Sequence, residues 1–275
     1  VRLQGASRQV QGEQRIDDSG ADVLMIGPVE EMLAEVAKTT GAAHLALIDP
    51  DSQSPEAAGE MAKAAAAGGT DAIMVGGSVG AAGRALEDTV RSIKAESKLP
   101  VILFPSGVSG LCSNADAVFF MSLLNSRSAS YLIENQALGS PLVYKYQIEP
   151  IPMAYVIVEP GGTVGWVGDA KLIPRNKPEL AAAYALAGKY FGMRMVYLEA
   201  GSGANEPVPL KMVAATKRVL GDDVLLILGG GIRSGEAARG LVEAGADIIV
   251  TGTGVERSEN VEAFVREMTS AMKGP

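Results

Sequence analysis

Paired acids directly follow the first apolar segment of the chain. The stretch LALIDPDSQSPEAAGE, residues 45–60, passes from apolar residues into Asp49 and Asp51, and Ser78 follows the next apolar segment. Carboxylate and hydroxyl oxygens are hard ligands that suit Mg²⁺, whose coordination is completed by water and substrate phosphate. These residues therefore predict a magnesium site held by one or both carboxylates, with Ser78 beside them. A helix cap is the alternative for Asp51, because Asp51 or Ser52 could accept the first N–H groups of a following helix.

Glycine-rich segments follow two later apolar segments. LGGGIRS contains Gly229, Gly230 and Gly231, and TGTG contains Gly252 before Thr253. Glycines allow backbone N–H groups to approach oxygen atoms closely, so such loops commonly bind phosphate. The two loops together predict a phosphate site. The alternative is that these glycines serve only tight turns.

A tyrosine and a glutamate lie two residues apart in VYLEAGSGA, where another apolar segment ends. Side chains alternate between the two faces of a strand, so Tyr197 and Glu199 point to the same side. A carboxylate at that position suits a general base. We therefore take Tyr197 and Glu199 as candidate catalytic residues. The alternative for Glu199 is a structural hydrogen bond to the glycine-rich loop that follows it.

Eight short apolar segments recur along the chain, with alanine-rich amphipathic segments between most of them. Uninterrupted apolar strands indicate a sheet that is buried on both faces, and amphipathic segments between strands indicate covering helices. This layout predicts an α/β fold, a parallel (β/α)8 TIM barrel with its active face where the strands end. A doubly wound open sheet is the alternative. The eight segments are HLALIDPD, DAIMVGGS, PVILFPSG, DAVFFMSLLNS, PMAYVIVEPGG, MRMVYLEAGSG, VLLILGGG and DIIVTGTG.

Three features of the pattern refine this fold. A weak internal repeat, in which an aspartate directly precedes an apolar strand, recurs at DAIMV, DAVFF and DIIVT. Residues 106–117 between the third and fourth strands lack a helical period, so we expect no regular helix there. Residues 161–177 after the fifth strand form a longer connection than usual, and loops of that length at an active face are often functional.

Composition limits the classes of function. The net charge of −8 disfavours nucleic acid and anionic membrane surfaces as partners. A single cysteine, Cys112, and a single histidine, His44, exclude an internal disulfide and a structural zinc site. No apolar run reaches the roughly 18 residues that span a bilayer, so we expect a cytoplasmic protein. We interpret residues 1–24 as a polar N-terminal extension and residues 25–275 as one catalytic domain.

The motifs together resemble a known family, the geranylgeranylglyceryl phosphate synthases of archaea and their bacterial heptaprenylglyceryl phosphate relatives. The resemblance runs from about residue 42 to residue 270 and is carried by HLALIDPD, DAIMVGGS, NADAVFFMSLLNS, YLEAGSGA, LGGGIRS, IIVTGTG and the long segment after YVIVEPGG. Leu47 stands where one branch of the family has a lysine. The LIDPD form resembles the other, larger archaeal branch.

The resemblance implies a Mg²⁺-dependent prenyltransferase. It would join the 3-hydroxyl of sn-glycerol 1-phosphate to geranylgeranyl diphosphate, with Mg²⁺ at Asp49 and Ser78 and with Glu199 taking the hydroxyl proton. We also expect a homo-oligomer. The residues that would hold sn-glycerol 1-phosphate are Tyr197, Leu198, Glu199, Ala200, Gly201, Ser202, Gly203, Gly229, Gly230, Gly231, Gly252 and Thr253.

Two expectations concern the prenyl substrate. Ser52 replaces a lysine that the resemblance leads us to expect near the diphosphate, so we take Lys171, Arg175 and Lys177 as candidate diphosphate ligands. The missing helix between the third and fourth strands would leave an apolar groove for the prenyl chain. Two alternatives stay open: another phosphate-binding barrel enzyme, such as an isomerase or lyase of amino-acid biosynthesis, and a barrel that only binds a phosphorylated ligand.

Overall fold

Eight parallel strands close into a barrel in the order in which they occur in the chain. The structure is a computed structural model that describes residues 26–77 and 82–273. The predicted (β/α)8 barrel is therefore confirmed. The strands are β1 (Ala43–Ile48), β2 (Ala72–Val75), β3 (Val101–Leu103), β4 (Ala117–Leu123), β5 (Glu149–Ile157), β6 (Met195–Glu199), β7 (Leu225–Gly229) and β8 (Ile248–Thr251).

Helices surround the barrel and close one of its ends. Six of them follow the predicted amphipathic segments, whereas the helices at residues 28–40, 135–146, 162–167 and 253–257 were not predicted. The helices are α1 (Pro28–Thr40), α2 (Pro55–Ala67), α3 (Gly83–Ser97), α4 (Asn135–Tyr146), α5 (Gly162–Val167), α6 (Pro178–Tyr190), α7 (Leu210–Leu220), α8 (Gly235–Glu243), α9 (Thr253–Arg257) and α10 (Val261–Met272). No helix of the described residues is long and apolar enough to span a membrane.

The connection between β3 and β4 carries only a 3₁₀ turn, Val108–Gly110, so the predicted gap in the ring of helices is confirmed. A π-helical turn, Ser130–Glu134, follows β4 and leads directly into α4. The long segment after β5 is partly ordered by α5 and by a β-bridge between Val158 and Ile173. These contacts explain why residues 161–177 are more regular than the sequence predicts.

The internal repeat is a structural clamp at the start of three strands. Asp71, Asp116 and Asp247 each accept an N–H from the neighbouring strand and a hydrogen bond from a lysine, at 2.6 to 2.9 Å. In the same order, the N–H groups are those of His44, Val101 and Leu226, and the lysines are Lys273, Lys94 and Lys217. Each clamp fixes the register of two adjacent strands, which accounts for the repeated aspartate.

Helix α1 closes the end of the barrel where the strands begin. Glu149 accepts the N–H groups of Val29 and Glu30 at 2.8 and 2.9 Å, and Arg194 binds both carboxylate oxygens of Glu30 at 2.6 and 2.7 Å. Leu33 is fully buried beneath the barrel core. Helix α1 therefore covers the barrel interior at this end.

The loop after β1 leads into α2 through Ser54, whose hydroxyl accepts the N–H of Ala57 at 3.3 Å. The alternative role of helix cap for Asp51 or Ser52 is therefore wrong. Asp51 instead donates its own N–H to the carboxylate of Asp49 at 3.0 Å. The turn after β1 is thus organised around Asp49 rather than around the helix.

Candidate active site

A cavity of about 490 Å³ opens at the end of the barrel where the strands finish. Its polar part contains the side chains of Asp49, Tyr197, Glu199, Ser202 and Thr253. These residues come from the loops or ends of β1, β6 and β8, and parallel strands bring their ends to the same rim. The structure therefore joins the acids and the two glycine loops of the sequence in one site.

Tyr197 and Glu199 both face the inside of the barrel, as strand alternation predicts. The Glu199 carboxylate accepts a hydrogen bond from the Tyr197 hydroxyl and another from the N–H of Gly201, the latter at 2.5 Å. Burial raises the pKa of Glu199, and these two hydrogen bonds partly offset that rise. Burial and the charge of Glu199 raise the pKa of Tyr197 well above its usual value, so its phenol stays protonated.

The side chains of Tyr197 and Glu199 pack against the start of the loop that follows β7. A Cβ added at Gly229 would overlap the Tyr197 hydroxyl, and one at Gly230 would overlap the Glu199 carboxylate. Gly230 also has a φ of 81°, which residues with a side chain rarely adopt. Both glycines are therefore required by the packing of Tyr197 and Glu199, and their backbone lies close to the carboxylate.

Other residues predicted to hold glycerol phosphate divide into two groups. Ser202 and Thr253 line the cavity, and their hydroxyls lie 3.0 Å apart, so the β6 and β8 loops are linked directly. The side chains of Leu198 and Ala200 point away from the cavity and pack in the core outside the barrel. The cavity is also lined by Gly203, Gly230, Gly231 and Gly252.

Asp49 lies in the cavity wall, half-buried, just after β1. Burial raises the pKa of its carboxyl, while the N–H of Asp51 lowers it in part. The N–H of Asp49 donates to Oε1 of Glu256, at 3.1 Å, and Glu256 also lines the cavity. Ser78, the second predicted metal ligand, lies outside the described residues.

The three basic residues predicted to bind diphosphate do not line the cavity. Arg175 donates to a carboxylate oxygen of Glu206 at 3.1 Å and to the carbonyl of Pro207 at 2.9 Å. Lys171 and Lys177 are exposed on the segment after β5. Among the residues that the structure describes, the cations in the cavity wall are instead Arg233 and Arg257.

The apolar part of the cavity extends between the ends of β3 and β4 and the neighbouring helix α4. Its wall consists of aromatic and aliphatic side chains, with Gly139 of α4 among them: Phe104, Leu111, Phe120, Tyr131 and Val143. Only the 3₁₀ turn stands between β3 and β4, so no helix of that connection fills the space. The groove predicted from the short connection is therefore present.

Several lining residues were missed by the sequence analysis. Tyr155 pairs in register with Tyr197 on the adjacent strand, and strand alternation within PMAYVIVEPGG was the available signal. Glu256 lies three residues after Thr253, in a helix too short to give a periodic pattern. Arg233 carried no signal in the sequence, because its Nη2 bonds to the carbonyls of Gly203 and Ala204 depend on the tertiary fold.

A family model described as the PcrB family matches residues 34–272. The chain belongs to the PcrB family. A geranylgeranylglyceryl phosphate synthase of Methanothrix thermoacetophila is 67% identical over 247 residues, which cover 90% of this chain and 96% of that relative. The synthase of Thermococcus gammatolerans is 57% identical over 252 residues, covering 92% and 99% of the two chains. The family resemblance stated from the motifs is confirmed.

Solved structures of the family agree with the fold and with one expected substrate. The (S)-3-O-geranylgeranylglyceryl phosphate synthase of Thermoplasma acidophilum, in complex with substrate sn-glycerol-1-phosphate, aligns with a TM-score of 0.86 and 45% identity. The alignment covers 90% of this chain and 99% of that one. The Thermoplasma synthase thus shares this barrel, and its structure holds sn-glycerol-1-phosphate.

Proposed function

We propose that this protein is a prenyltransferase that joins the 3-hydroxyl of sn-glycerol 1-phosphate to geranylgeranyl diphosphate and releases diphosphate. This reaction forms the first ether bond of archaeal membrane lipids. The observation that carries the proposal is that a buried carboxylate, two glycine loops and an apolar groove open into one cavity. An alcohol phosphate and a long apolar diphosphate need these three features together.

The polar substrate would lie over the glycine loops. Backbone N–H groups of the β7 and β8 loops would bind its phosphate, and Ser202 and Thr253 would bind oxygens beside it. This placement directs the 3-hydroxyl toward Glu199, which is the carboxylate in the barrel interior. The placement is supported by the close approach of Gly230 to the Glu199 carboxylate.

The bond changes follow from this arrangement. The 3-hydroxyl oxygen forms a bond to C1 of the prenyl chain as the bond from C1 to the diphosphate oxygen breaks. The hydroxyl proton moves to Glu199, and the electron pair of the broken bond leaves with the diphosphate. Burial raises the pKa of Glu199, which makes it a stronger base than an exposed glutamate. Tyr197 positions that carboxylate through its hydrogen bond.

The residues at the rim fit a hard divalent cation such as Mg²⁺. Asp49 offers a half-buried carboxylate in the cavity wall, and Ser78 is the second ligand that the sequence predicts. Residues 26–77 and 82–273 contain no group of three or more His, Cys, Asp or Glu side chains that could hold a metal. Mg²⁺ is commonly held by one or two carboxylates plus substrate phosphate, where it offsets the charge of a leaving diphosphate.

The prenyl chain would occupy the apolar groove beside α4, because its aromatic and aliphatic wall starts at the polar site. Arg233 and Arg257 already line the cavity, so they are candidate ligands of the diphosphate. Lys171, Arg175 and Lys177 stay predicted diphosphate ligands, and that role requires the segment after β5 to move toward the cavity.

The decisive experiment mixes purified protein with labelled sn-glycerol 1-phosphate, Mg²⁺ and one of several prenyl diphosphates. Organic extraction should recover labelled lipid, most of it with the C20 substrate. Absence of labelled lipid with every chain length would overturn the proposal. An isomerase or lyase would also use the glycine loops, but it would have no use for the apolar groove.

We also propose that the protein forms a homo-oligomer. Trp166, Tyr190 and Phe191 are 84%, 77% and 73% exposed, and large apolar side chains at the surface often mark subunit contacts. Light scattering after gel filtration tests this, and a monomeric mass at micromolar concentration would contradict it. The cytoplasmic location expected from the composition stays a prediction.

A further inference from the structure

Asp49 lies one residue beyond the end of β1, so the strand alone does not fix the direction of its carboxylate. Its backbone and its carboxylate are held instead by contacts with other residues. Gln53 donates to the Asp49 carbonyl at 2.5 Å, and the N–H of Asp51 donates to Oδ1 of Asp49 at 3.0 Å. These contacts all come from the same turn.

Glu256 provides the contact from the other side of the rim. It lies on α9, just after β8, and its Oε1 accepts the backbone N–H of Asp49 at 3.1 Å. The two residues are 207 positions apart, so this bond links the first and the last strand loops of the barrel. Asp49 is thereby fixed to the β8 loop, which also carries Gly252 and Thr253.

The carboxylate of Asp49 also packs directly on the backbone that follows β2. A Cβ added at Gly77 would overlap the Asp49 carboxylate, so Gly77 leaves space that the carboxylate fills. A small shift of the Asp49 backbone would move the carboxylate out of this space. The hydrogen bond to Glu256 is therefore placed to determine where the carboxylate lies.

We infer that Glu256 is a positioning residue for the cation site, and that it acts by holding the Asp49 backbone through this hydrogen bond. The inference rests on the proposed function, because it takes Asp49 as the residue that binds the divalent cation. In this role Glu256 acts as a hydrogen-bond acceptor whose side-chain length matters, and its negative charge is not required. Loss of such a contact behind a metal ligand typically weakens metal binding about 10-fold to 100-fold.

Three substitutions separate the effect of the length of the Glu256 side chain from the effect of its charge. Glu256→Gln keeps an oxygen at the same reach and removes the charge, whereas Glu256→Asp keeps the charge and shortens the side chain. Glu256→Ala removes both. Glu259→Ala is the matched control, since it removes the same charge from an exposed residue nearby.

The measurement is the Kd of Mn²⁺ by electron paramagnetic resonance, in the presence of inorganic pyrophosphate, together with Tm. Glu256→Gln and Glu259→Ala should bind Mn²⁺ within about 3-fold of wild type, and Glu256→Asp should bind at least about 10-fold more weakly. Glu256→Ala should match Glu256→Asp. Rescue by glutamine would not be expected if the side chain acted only through its charge.

Two results would overturn the inference. One is wild-type affinity in Glu256→Asp, and the other is an equal loss in Glu256→Gln and Glu256→Asp, which would indicate a role for the charge. Asp49→Asn distinguishes the premise from the inference. Unchanged Mn²⁺ binding in Asp49→Asn would refute the cation site itself, whereas weak binding there with normal binding in Glu256→Asp would refute only the role of Glu256.

Discussion

Phe104 stacks on Tyr197 inside the barrel, with ring centroids 5.8 Å apart and ring planes at 28°. Phe104 follows β3 beside the apolar groove, and Tyr197 lies on β6 beside Glu199. Tyr155 packs edge-on against both rings, at 5.3 and 5.1 Å. The apolar groove and the polar site therefore share one aromatic wall, and a chain in the groove would reach the carboxylate along it.

Glu199→Gln should lower kcat by roughly 10²-fold to 10⁴-fold, the usual effect of losing a general base, with little change in sn-glycerol 1-phosphate affinity. Steady-state kinetics and calorimetric titration measure the two quantities. If the variant instead keeps its activity and melts much earlier, Glu199 has only a structural role.

The pH dependence of kcat follows from the environment of Glu199. A base must be deprotonated, and burial raises the pKa of Glu199. As the pH is lowered, kcat should therefore begin to fall at a pH above the usual pKa of a glutamate. The Tyr197 hydroxyl lowers this pKa, so Tyr197→Phe should shift the acidic limb to higher pH. An unshifted limb in the variant would argue against the hydrogen bond.

Asp49→Ala should abolish turnover and its dependence on Mg²⁺ without a large drop in Tm, because it removes a charged group at the rim rather than core volume. Ser78→Ala should act in the same direction but less strongly. Product assays over a Mg²⁺ series test both variants. Near-normal product formation by Asp49→Ala at saturating Mg²⁺ would contradict the metal assignment.

Gly230→Ala should abolish binding of sn-glycerol 1-phosphate, because the added methyl group would overlap the Glu199 carboxylate. Gly192→Ala is a matched control: Gly192 has the same φ of 81°, and a Cβ there would meet nothing within 4 Å. Backbone strain should cost each variant about 1–2 kcal/mol of stability, and overlap with the backbone of Gly201 should add to that loss in Gly230→Ala. Only Gly230→Ala should lose the ligand in a calorimetric titration, and equal binding by the two would refute the site.

A bulky residue in the groove should discriminate between prenyl chain lengths. Gly139→Leu places a side chain among the lining residues of α4, whereas Ala137→Leu places the same side chain on the exposed side of that helix. Each CH₂ buried contributes about 0.8 kcal/mol as an upper guide, so a C5 unit contributes on the order of 3–4 kcal/mol.

The kcat/KM for the C20 diphosphate should therefore fall more than that for C10 in Gly139→Leu, and neither should fall in Ala137→Leu. Equal losses for C10, C15 and C20 would show that the chain binds elsewhere. Gly107 also lines the groove and suits the same test. Gly110 does not line the cavity, and a Cβ there would press on Pro105.

Stability should decrease in acid because of His44. The ring is fully buried between the hydroxyls of Thr70 and Thr251, each 2.9 Å from a ring nitrogen, and burial lowers its pKa from 6.5 to about 3. Between these values the unfolded chain binds a proton that the folded chain does not, so stability present above pH 6.5 is lost as the pH falls toward 3.

The full difference corresponds to about 5 kcal/mol. Urea unfolding at pH 8, 6 and 5 measures the part that is accessible. His44→Gln can still form hydrogen bonds but does not titrate in this range, so its free energy of unfolding should depend less on pH. A slope between pH 6 and 5 equal to that of wild type would assign the loss to other groups.

The sequence by itself determined the barrel, the missing helix and most of the rim. Strand periodicity and strand ends are local properties, and all eight strand ends of a closed parallel barrel meet at one rim, so Asp49, Glu199 and Gly230 could be placed together in advance. The repeated aspartates likewise follow a fixed position relative to each strand, which is why they were visible as a repeat.

Only the tertiary structure decided which side chains complete the site. Glu256 meets Asp49 across 207 residues, and Arg233 and Arg257 reach the cavity wall while Arg175 is held by Glu206. Long side chains at the rim have many rotamers, and their choice depends on neighbours that are distant in the chain. Charge and spacing in the sequence carry no record of that choice, because it depends on tertiary packing.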